Sequence, residues 1–290
     1  MFDVLTSNRS RLRCELRQKV KFASAGGSPV TVGDDVLVTR IDDAIGAIDK
    51  VLERRTAFFR PDKLRESKRQ VIAANLDRLA VVVSVISPPL KTGLIDRVMI
   101  AAELGRLTPI IVINKIDLGQ DDELTDIVRT YDSLGYPTVV VSALTGSGIE
   151  DLREQLKDHR TIFAGHSGVG KSTLLNALIP GLKQATSVVS SHSGRGKHRT
   201  TTIELFEVPN GGFVVDSPGL KVMGLWELDR EAVADYYPDF RPHAPNCRFQ
   251  PCSHSHEPGC AVKTAVEQGA VSRFRHENYL AIRESLEIDL

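Results

Sequence analysis

Residues 160–178 read RTIFAGHSGVGKSTLLNAL, and no other stretch limits the possible folds as tightly. The apolar residues 161–164 predict a short strand, Gly165-x-x-x-x-Gly170-Lys171-Ser172 a tight glycine-rich loop, and the residues after it an amphipathic helix. Such a strand, loop and helix make an anion cradle. Glycines let the backbone close round a phosphate, while the loop and the helix N-terminus aim several N–H dipoles at it. The expected phosphate contacts are therefore Gly165, His166, Ser167, Gly168, Val169, Gly170, Lys171, Ser172 and Thr173. Lys171 brings positive charge to the β- and γ-phosphates, and the Ser172 hydroxyl ligates Mg²⁺.

A chain of 290 residues, 41% hydrophobic and 26% charged, can hold two or three domains with a real core. Its longest apolar runs, 79–83 and 109–113, have strand length and fall far short of the roughly 20 residues of a membrane-spanning helix. The N-terminal MFDVLTSNRSR lacks the apolar core of a secretion signal, so a cytoplasmic protein without a membrane anchor is expected. Net charge is zero but uneven: residues 1–70 carry 15 lysines and arginines against 10 acids, the remainder 22 against 27. A basic N-terminal part points to a polyanionic partner. Of the four cysteines, Cys14 stands apart and three fall within 247–260, which argues for a metal rather than disulfides.

Residues 11–16, 30–39 and 44–52 alternate polar with apolar between Gly, Asp and Ser turns, predicting short strands; little before Arg11 offers a further one. Five or so such strands in about 60 residues suit a small barrel of the oligonucleotide-binding type. From Glu53 to Arg69 seven cations meet three anions, either an RNA-phosphate surface or a soluble linker. Phe58 and Phe59 are the only aromatic candidates there for base stacking, so binding would rest on backbone charge. From residue 75 the texture changes. Strands are expected at 79–86, 109–113 and 138–141 and helices at 94–107, 124–134 and 149–156, an alternation that makes a parallel sheet covered on both faces. The phosphate loop thus arrives as the fourth strand-to-helix turn.

Asn114-Lys115-Ile116-Asp117 follows the second of these strands, at the edge where doubly wound sheets bind ligands. An aspartate there accepts hydrogen bonds from N1–H and the exocyclic amine of guanine, whereas adenine leaves the carboxylate unpaired, a mismatch worth up to about 10⁴ in selectivity. Asn114 would brace the loop, the Lys115 stem would lie along the base, and Ser142-Ala143 would offer a backbone N–H to O6. Residues 184–202 are too rich in Ser and Gly for a core and read as a mobile loop before a strand at 203–208. A second strand, 213–215, runs into Asp216-Ser217-Pro218-Gly219. An acid at that strand end holds Mg²⁺ through water, and the Gly219 N–H is free to sense a γ-phosphate. A threonine from the preceding loop must complete the metal shell. Near the C-terminus Cys247-x4-Cys252-x-His254-x5-Cys260 offers three thiolates and an imidazole for zinc, with His256 and His243 as competing ligands. Few apolar residues surround the cluster, so metal would fold 236–260, and helices at 261–268 and 271–286 should pack beside it.

Together the phosphate loop at 165–173, the guanine motif at 114–117 and the Asp216-to-Gly219 turn resemble a GTPase, but with the guanine motif ahead of the phosphate loop. That order, the N-terminal barrel and the Cys/His cluster resemble the circularly permuted bacterial ribosome small subunit-dependent GTPase A family over nearly the whole chain. The resemblance implies an α/β GTPase domain at 65–224, an oligonucleotide-binding-like, RNA-binding barrel at 1–64 and a zinc-binding helical domain at 225–290. It implies GTP or GDP with Mg²⁺, one structural Zn²⁺ on Cys247, Cys252, His254 and Cys260, and a monomer that binds the 30S subunit and its rRNA in late maturation. Basic residues Arg241, Arg248, Arg273 and Arg275 are compatible with that contact. Where many GTPases carry a water-orienting glutamine, this chain has Leu220. His198, matching the family's switch histidine, is then the catalytic candidate beside Lys171 and Thr200, with Thr200 also ligating Mg²⁺. His198 could equally meet RNA phosphate, and Arg199 stands where the family's first threonine is expected. A nucleotide-gated RNA-binding module and a signalling GTPase with a protein partner are the alternatives.

Overall fold

The structure, a computed structural model, describes residues 1–17, 29–62, 65–182, 204–209, 211–216, 225 and 228–286. Its N-terminal strands β1 (Phe2–Leu5), β2 (Arg11–Leu16), β3 (Val36–Arg40) and β4 (Ile45–Val51) form one sheet in the order β1-β2-β4-β3, with β2 and β4 parallel. Strand period puts Leu12 and Cys14 inside and Arg11 and Arg13 outside. The inner residues meet Val30, Ile48 and Val51 in a single small core, an oligonucleotide-binding-like arrangement of short strands. Strand β1 was not expected. Its four residues alternate too briefly to stand out, and only pairing with β2 reveals them. Conversely, the strand expected over 30–39 starts late, because Asp34 accepts a hydrogen bond from the Thr31 N–H at 2.8 Å and turns the chain first.

Strands β5 (Ala57–Asp62) and β6 (Arg65–Ala74) pair as a hairpin, so the division expected after residue 64 falls between its two strands. Phe58 is 5% exposed and packs with Ile72 and Leu76, which removes it as a stacking platform. Arg54 is likewise no free cation: its guanidinium grips the Asp34 carboxylate at 2.7 and 2.9 Å.

The central unit alternates β7 (Arg78–Ser84), α1 (Thr92–Leu104), β8 (Thr108–Asn114), α2 (Asp122–Ser133), β9 (Thr138–Val140), α3 (Ile149–Leu156), β10 (Arg160–Ala164) and α4 (Lys171–Leu178). Strands β11 (Glu204–Glu207) and β12 (Phe213–Asp216) complete a six-stranded sheet in the order β11-β12-β10-β7-β8-β9, parallel except for the edge strand β11. Side-chain alternation along the buried strands separates two cores. Leu79, Val81, Val83, Ile111 and Ile113 face α1 and α2, whereas Ala80, Val82, Ile110 and Val112 face α3 and α4. Each fully buried aliphatic side chain contributes about 1.5–3 kcal/mol, which is why these strands read as unbroken apolar runs. Helix α2 starts where Asp121 accepts the Leu124 N–H at 2.8 Å, with Asp122 and Glu123 in its first turn.

The C-terminal part holds 3₁₀ turns at Arg230–Tyr236 and Ala244–Asn246 and helices α5 (Ala261–Glu267) and α6 (Arg273–Ser285). Contrary to expectation, the segment around the cysteines does share in a core. Tyr237, Phe240, Cys247 and Cys260 pack with Val262, Val271, Tyr279 and Ile282, and Ile100 of α1 joins them. Among the described residues no helix is long and apolar enough to cross a membrane.

Candidate functional site

Parallel register brings Ser84, Asn114, Ala164 and Asp216 to the same edge of the central sheet, since Ser84 pairs with Asn114, Val81 with Ala164 and Phe163 with Asp216. Loops leaving that edge build the site. After β10 the chain must turn sharply against β7. Gly165 has φ +151°, and a Cβ there would stand 2.1 Å from the Val82 carbonyl oxygen, so no other residue fits. Gly170, at φ +95°, opens α4 with no side-chain cap, which leaves the first N–H groups of the helix directed into the loop. Lys171 folds back over this hollow and donates to the carbonyls of Gly165 at 2.6 Å and His166 at 2.9 Å. Burial lowers its pKa, and the charge of Asp216 opposes that shift, so the lysine and the acid act on one another across the site. Ser172 and Thr173 are half-buried in the first turn of α4, as is His166 in the loop, whereas Ser167 is exposed.

The guanine motif joins the same loop. Asn114, 1% exposed, donates from Nδ2 to the Val169 carbonyl at 2.9 Å and accepts the Ala143 N–H at Oδ1 at 3.1 Å. One amide thus ties together three loops that lie 29 and 55 residues apart in sequence. Lys115 stands in the left-handed region at φ 66°, and its amine donates to the carbonyls of Gly168, at 2.6 Å, and Ser87. Ile116 and Asp117 form the short 3₁₀ turn Ile116–Leu118, and Asp117 Oδ1 accepts the Ser142 hydroxyl. The N–H of Ser142 donates to Ser147 O at 2.9 Å. Both backbone donors of Ser142-Ala143, one of which was expected to reach guanine O6, thus have acceptors within the protein, and the pair braces Asn114 and Asp117.

Asp216 is 9% exposed at the end of β12. Gly219, His198 and Thr200 lie outside the described residues. The Ser87 carbonyl was missed from the sequence. Its only trace there is a strand that ends in Ser-Pro-Pro at the edge carrying Asn114.

Cys247, Cys252, His254 and Cys260 converge, with all four ligand atoms within 4.8 Å of one another. Cys247 Sγ lies 3.8 Å from Cys260 Sγ and 3.6 Å from His254 Nδ1, and Cys260 Sγ lies 3.4 Å from the same nitrogen. A tetrahedral ion with metal–sulfur bonds of about 2.3 Å and metal–nitrogen bonds of about 2.1 Å has edges of about 3.6–3.8 Å, close to the three separations among Cys247, His254 and Cys260, and three thiolates with one imidazole are a donor set that suits zinc. Burial pushes the Cys252 thiol up to about 12 and raises Cys260 as well, which a cation among them would reverse. Of the competing ligands, His256 is exposed and bonds Ser255 Oγ at 2.9 Å, and His243 lies outside the cluster. The ligand loop is held from both sides: Tyr279 donates to Ser253 O at 2.8 Å, His276 Nε2 bonds His254 O at 2.8 Å, and Glu257 accepts the Ser253 N–H at 2.8 Å.

Arg275 corrects the sequence expectation of a basic RNA-facing residue. It is 1% exposed and pairs with Asp96 of α1 and, at 2.8 Å, with Asp239. Its guanidinium also stacks 4.3 Å over the Tyr237 ring. Asp96 further accepts the Tyr131 hydroxyl at 2.6 Å and Asn278 Nδ2 at 2.8 Å. Burial disfavours the Arg275 cation, but Asp96 and Asp239 outweigh it and hold its pKa well above the usual value. Arg241, Arg248 and Arg273 are exposed.

A family model described as RsgA GTPase matches residues 51–226. A protein of Bacteroides fragilis strain YCH46 named small ribosomal subunit biogenesis GTPase RsgA is 37% identical over 290 residues, covering 99% of this chain and 94% of its own length. One of the same name from Chlorobaculum tepidum is 40% identical over 293 residues, covering 98% and 94%. Among solved structures, YjeQ from Thermotoga maritima superposes with a TM-score of 0.76 at 36% identity, over 97% of this chain and 91% of that one. YloQ, described as a circularly permuted GTPase, gives 0.74 at 29% identity, over 99% and 91%.

Proposed function

This chain belongs to the RsgA GTPase family, and from that premise we propose that it hydrolyses GTP in the biogenesis of the small ribosomal subunit, using the site at residues 114–117, 142–143, 165–173 and 216–219. The observation that carries the reading is Asn114, whose one buried amide fastens the 114–117 loop to the phosphate loop and so brings two distant motifs side by side. In this reading Asp117 selects guanine, the Lys115 stem supports the base plane, and the Ala143 N–H is shared between Asn114 and guanine O6. The N–H groups of the 165–173 loop and of the start of α4, together with Lys171, take up phosphate charge. Ser172, Thr200 and, through water, Asp216 would hold Mg²⁺, which when bound would supply positive charge against the phosphates. Gly219 senses the γ-phosphate.

Leu220 provides no polar group to orient water, so intrinsic turnover is slow and His198 supplies that function once a partner positions it. Contact of His198 with RNA phosphate is the competing role: His198→Ala would then weaken subunit binding at unchanged turnover of the saturated complex. Residues 1–64 form the RNA-binding unit, 65–224 the GTPase unit and 225–290 the zinc unit, whose Cys247, Cys252, His254 and Cys260 hold one structural Zn²⁺. The protein acts as a cytoplasmic monomer on the 30S subunit and its rRNA. Single-turnover GTP cleavage titrated with purified small subunits tests the proposal. Stimulation by small but not large subunits is expected; equal rates with neither, or with both, contradict it. Leu220 also favours a second reading, a nucleotide-gated RNA-binding module, for which cleavage would stay negligible even with subunits bound.

A further inference from the structure

We propose that Asn278, in the C-terminal helix α6, is a positioning residue for Lys115 of the guanine motif, acting through the start of α1 and the 85–91 loop; the inference rests on the nucleotide site proposed above. Lys115 has a left-handed backbone, and its stem can offer a fixed wall to a base only if its amine is anchored. One of its two anchors, Gly168 O, belongs to the phosphate loop. The other, Ser87 O, belongs to the loop between β7 and α1.

The near end of that loop is pinned by the sheet. Ser84 Oγ donates to Pro88 O at 2.8 Å, and the Val85 N–H donates to Asn114 O at 3.1 Å. Its far end is set by where α1 begins, and α1 has no side-chain cap of its own at Lys91. Asn278 holds this end from outside, through side chains of the first turns. Its Oδ1 accepts the Thr92 hydroxyl at 3.4 Å, and its Nδ2 donates to Asp96 Oδ2 at 2.8 Å, one helical turn further on. Gly93 makes room for this clasp, because a Cβ there would lie 3.2 Å from Asn278 Oδ1. Helix α6 is itself immobilised by the Arg275 ion pairs and by His276 and Tyr279 on the cysteine-rich loop. Between Thr92 and Ser87 stand Pro88 and Pro89, whose locked φ angles leave little slack. A shift of the first turn of α1 therefore moves the Ser87 carbonyl, and with it the Lys115 amine.

The test uses the full chain and a fluorescent GDP analogue, measured by titration and stopped flow for the wild type, Asn278→Ala, Lys115→Ala and the double variant. Asn278→Ala should raise Kd about fivefold, mainly through faster dissociation, and should add less than about twofold once Lys115 is alanine. Thr92→Val, which removes the clasp from the α1 side, should shift Kd in the same direction and serves if Asn278→Ala fails to fold. Wild-type affinity in Asn278→Ala or in Thr92→Val alongside weakened binding by Lys115→Ala overturns the proposal, as does an equal Asn278 effect with and without Lys115. Unchanged binding by Lys115→Ala overturns the guanine-site reading itself.

Discussion

Asn114 shows how much one buried amide can decide. Its carbonyl oxygen and its NH₂ group each meet a backbone partner in a different loop, so truncation strands the Ala143 N–H and the Val169 carbonyl together. A buried polar group left without a partner costs about 1–3 kcal/mol. Asn114→Ala is therefore expected to lower unfolding free energy in urea by about that amount and to weaken GDP binding at least about tenfold. Affinity within twofold of wild type would mean that the two loops hold their places independently. The turn of the phosphate loop was legible at this scale because its geometry demands a particular residue: only glycine turns at Gly165 beside Val82. On the proposed function, the acid at Asp117 is likewise demanded by guanine. The two carbonyls that hold the Lys115 amine were not legible, since any residue supplies a carbonyl and geometry alone selects which one.

Among the elements, α6 carries more than its sequence suggested. Arg275 looked like one of four solvent cations, yet its carboxylate partner on α1 is 179 residues away, beyond the reach of any local pattern. The helix instead buries a charge pair against the central unit. Such a pair adds little compared with apolar packing, but removing Arg275 leaves the Asp96 and Asp239 carboxylates without their counter-charge, which costs about 3–5 kcal/mol. Arg275→Met should therefore lower stability by about that amount in chemical denaturation, whereas Arg273→Met, two residues earlier at an exposed position, should change it by less than about 0.5 kcal/mol. Equal effects would show that the pair does not hold α6. Strand β1 escaped notice for a related reason: four residues of weak alternation gain meaning only from the neighbour they pair with. The buried strands β7 and β8 and the helix α1 between them were legible because their apolar runs and periods are long.

At the scale of the whole molecule, the described residues form four cores, one in the N-terminal sheet, one on each face of the central sheet and one in the C-terminal part, and the cysteine-histidine cluster belongs to the last. Tyr237, Phe240 and Tyr279 give that part some apolar packing; on the zinc reading proposed above, its ligand loop depends on the ion. Removing zinc with a strong chelator should raise amide exchange over 244–260 by orders of magnitude while the six-stranded sheet stays protected. Unchanged exchange there would refute a structural metal.

The motif order, with the base-reading loop ahead of the phosphate loop, is harmless to the fold because both leave the same edge of one parallel sheet. Everything functional depends on that convergence, and Asp117→Asn tests it most directly, by single-turnover cleavage of GTP against xanthosine triphosphate in the presence of small subunits. Loss of GTP cleavage with cleavage of xanthosine triphosphate gained is the predicted result. Undiminished GTP cleavage by Asp117→Asn would contradict the account.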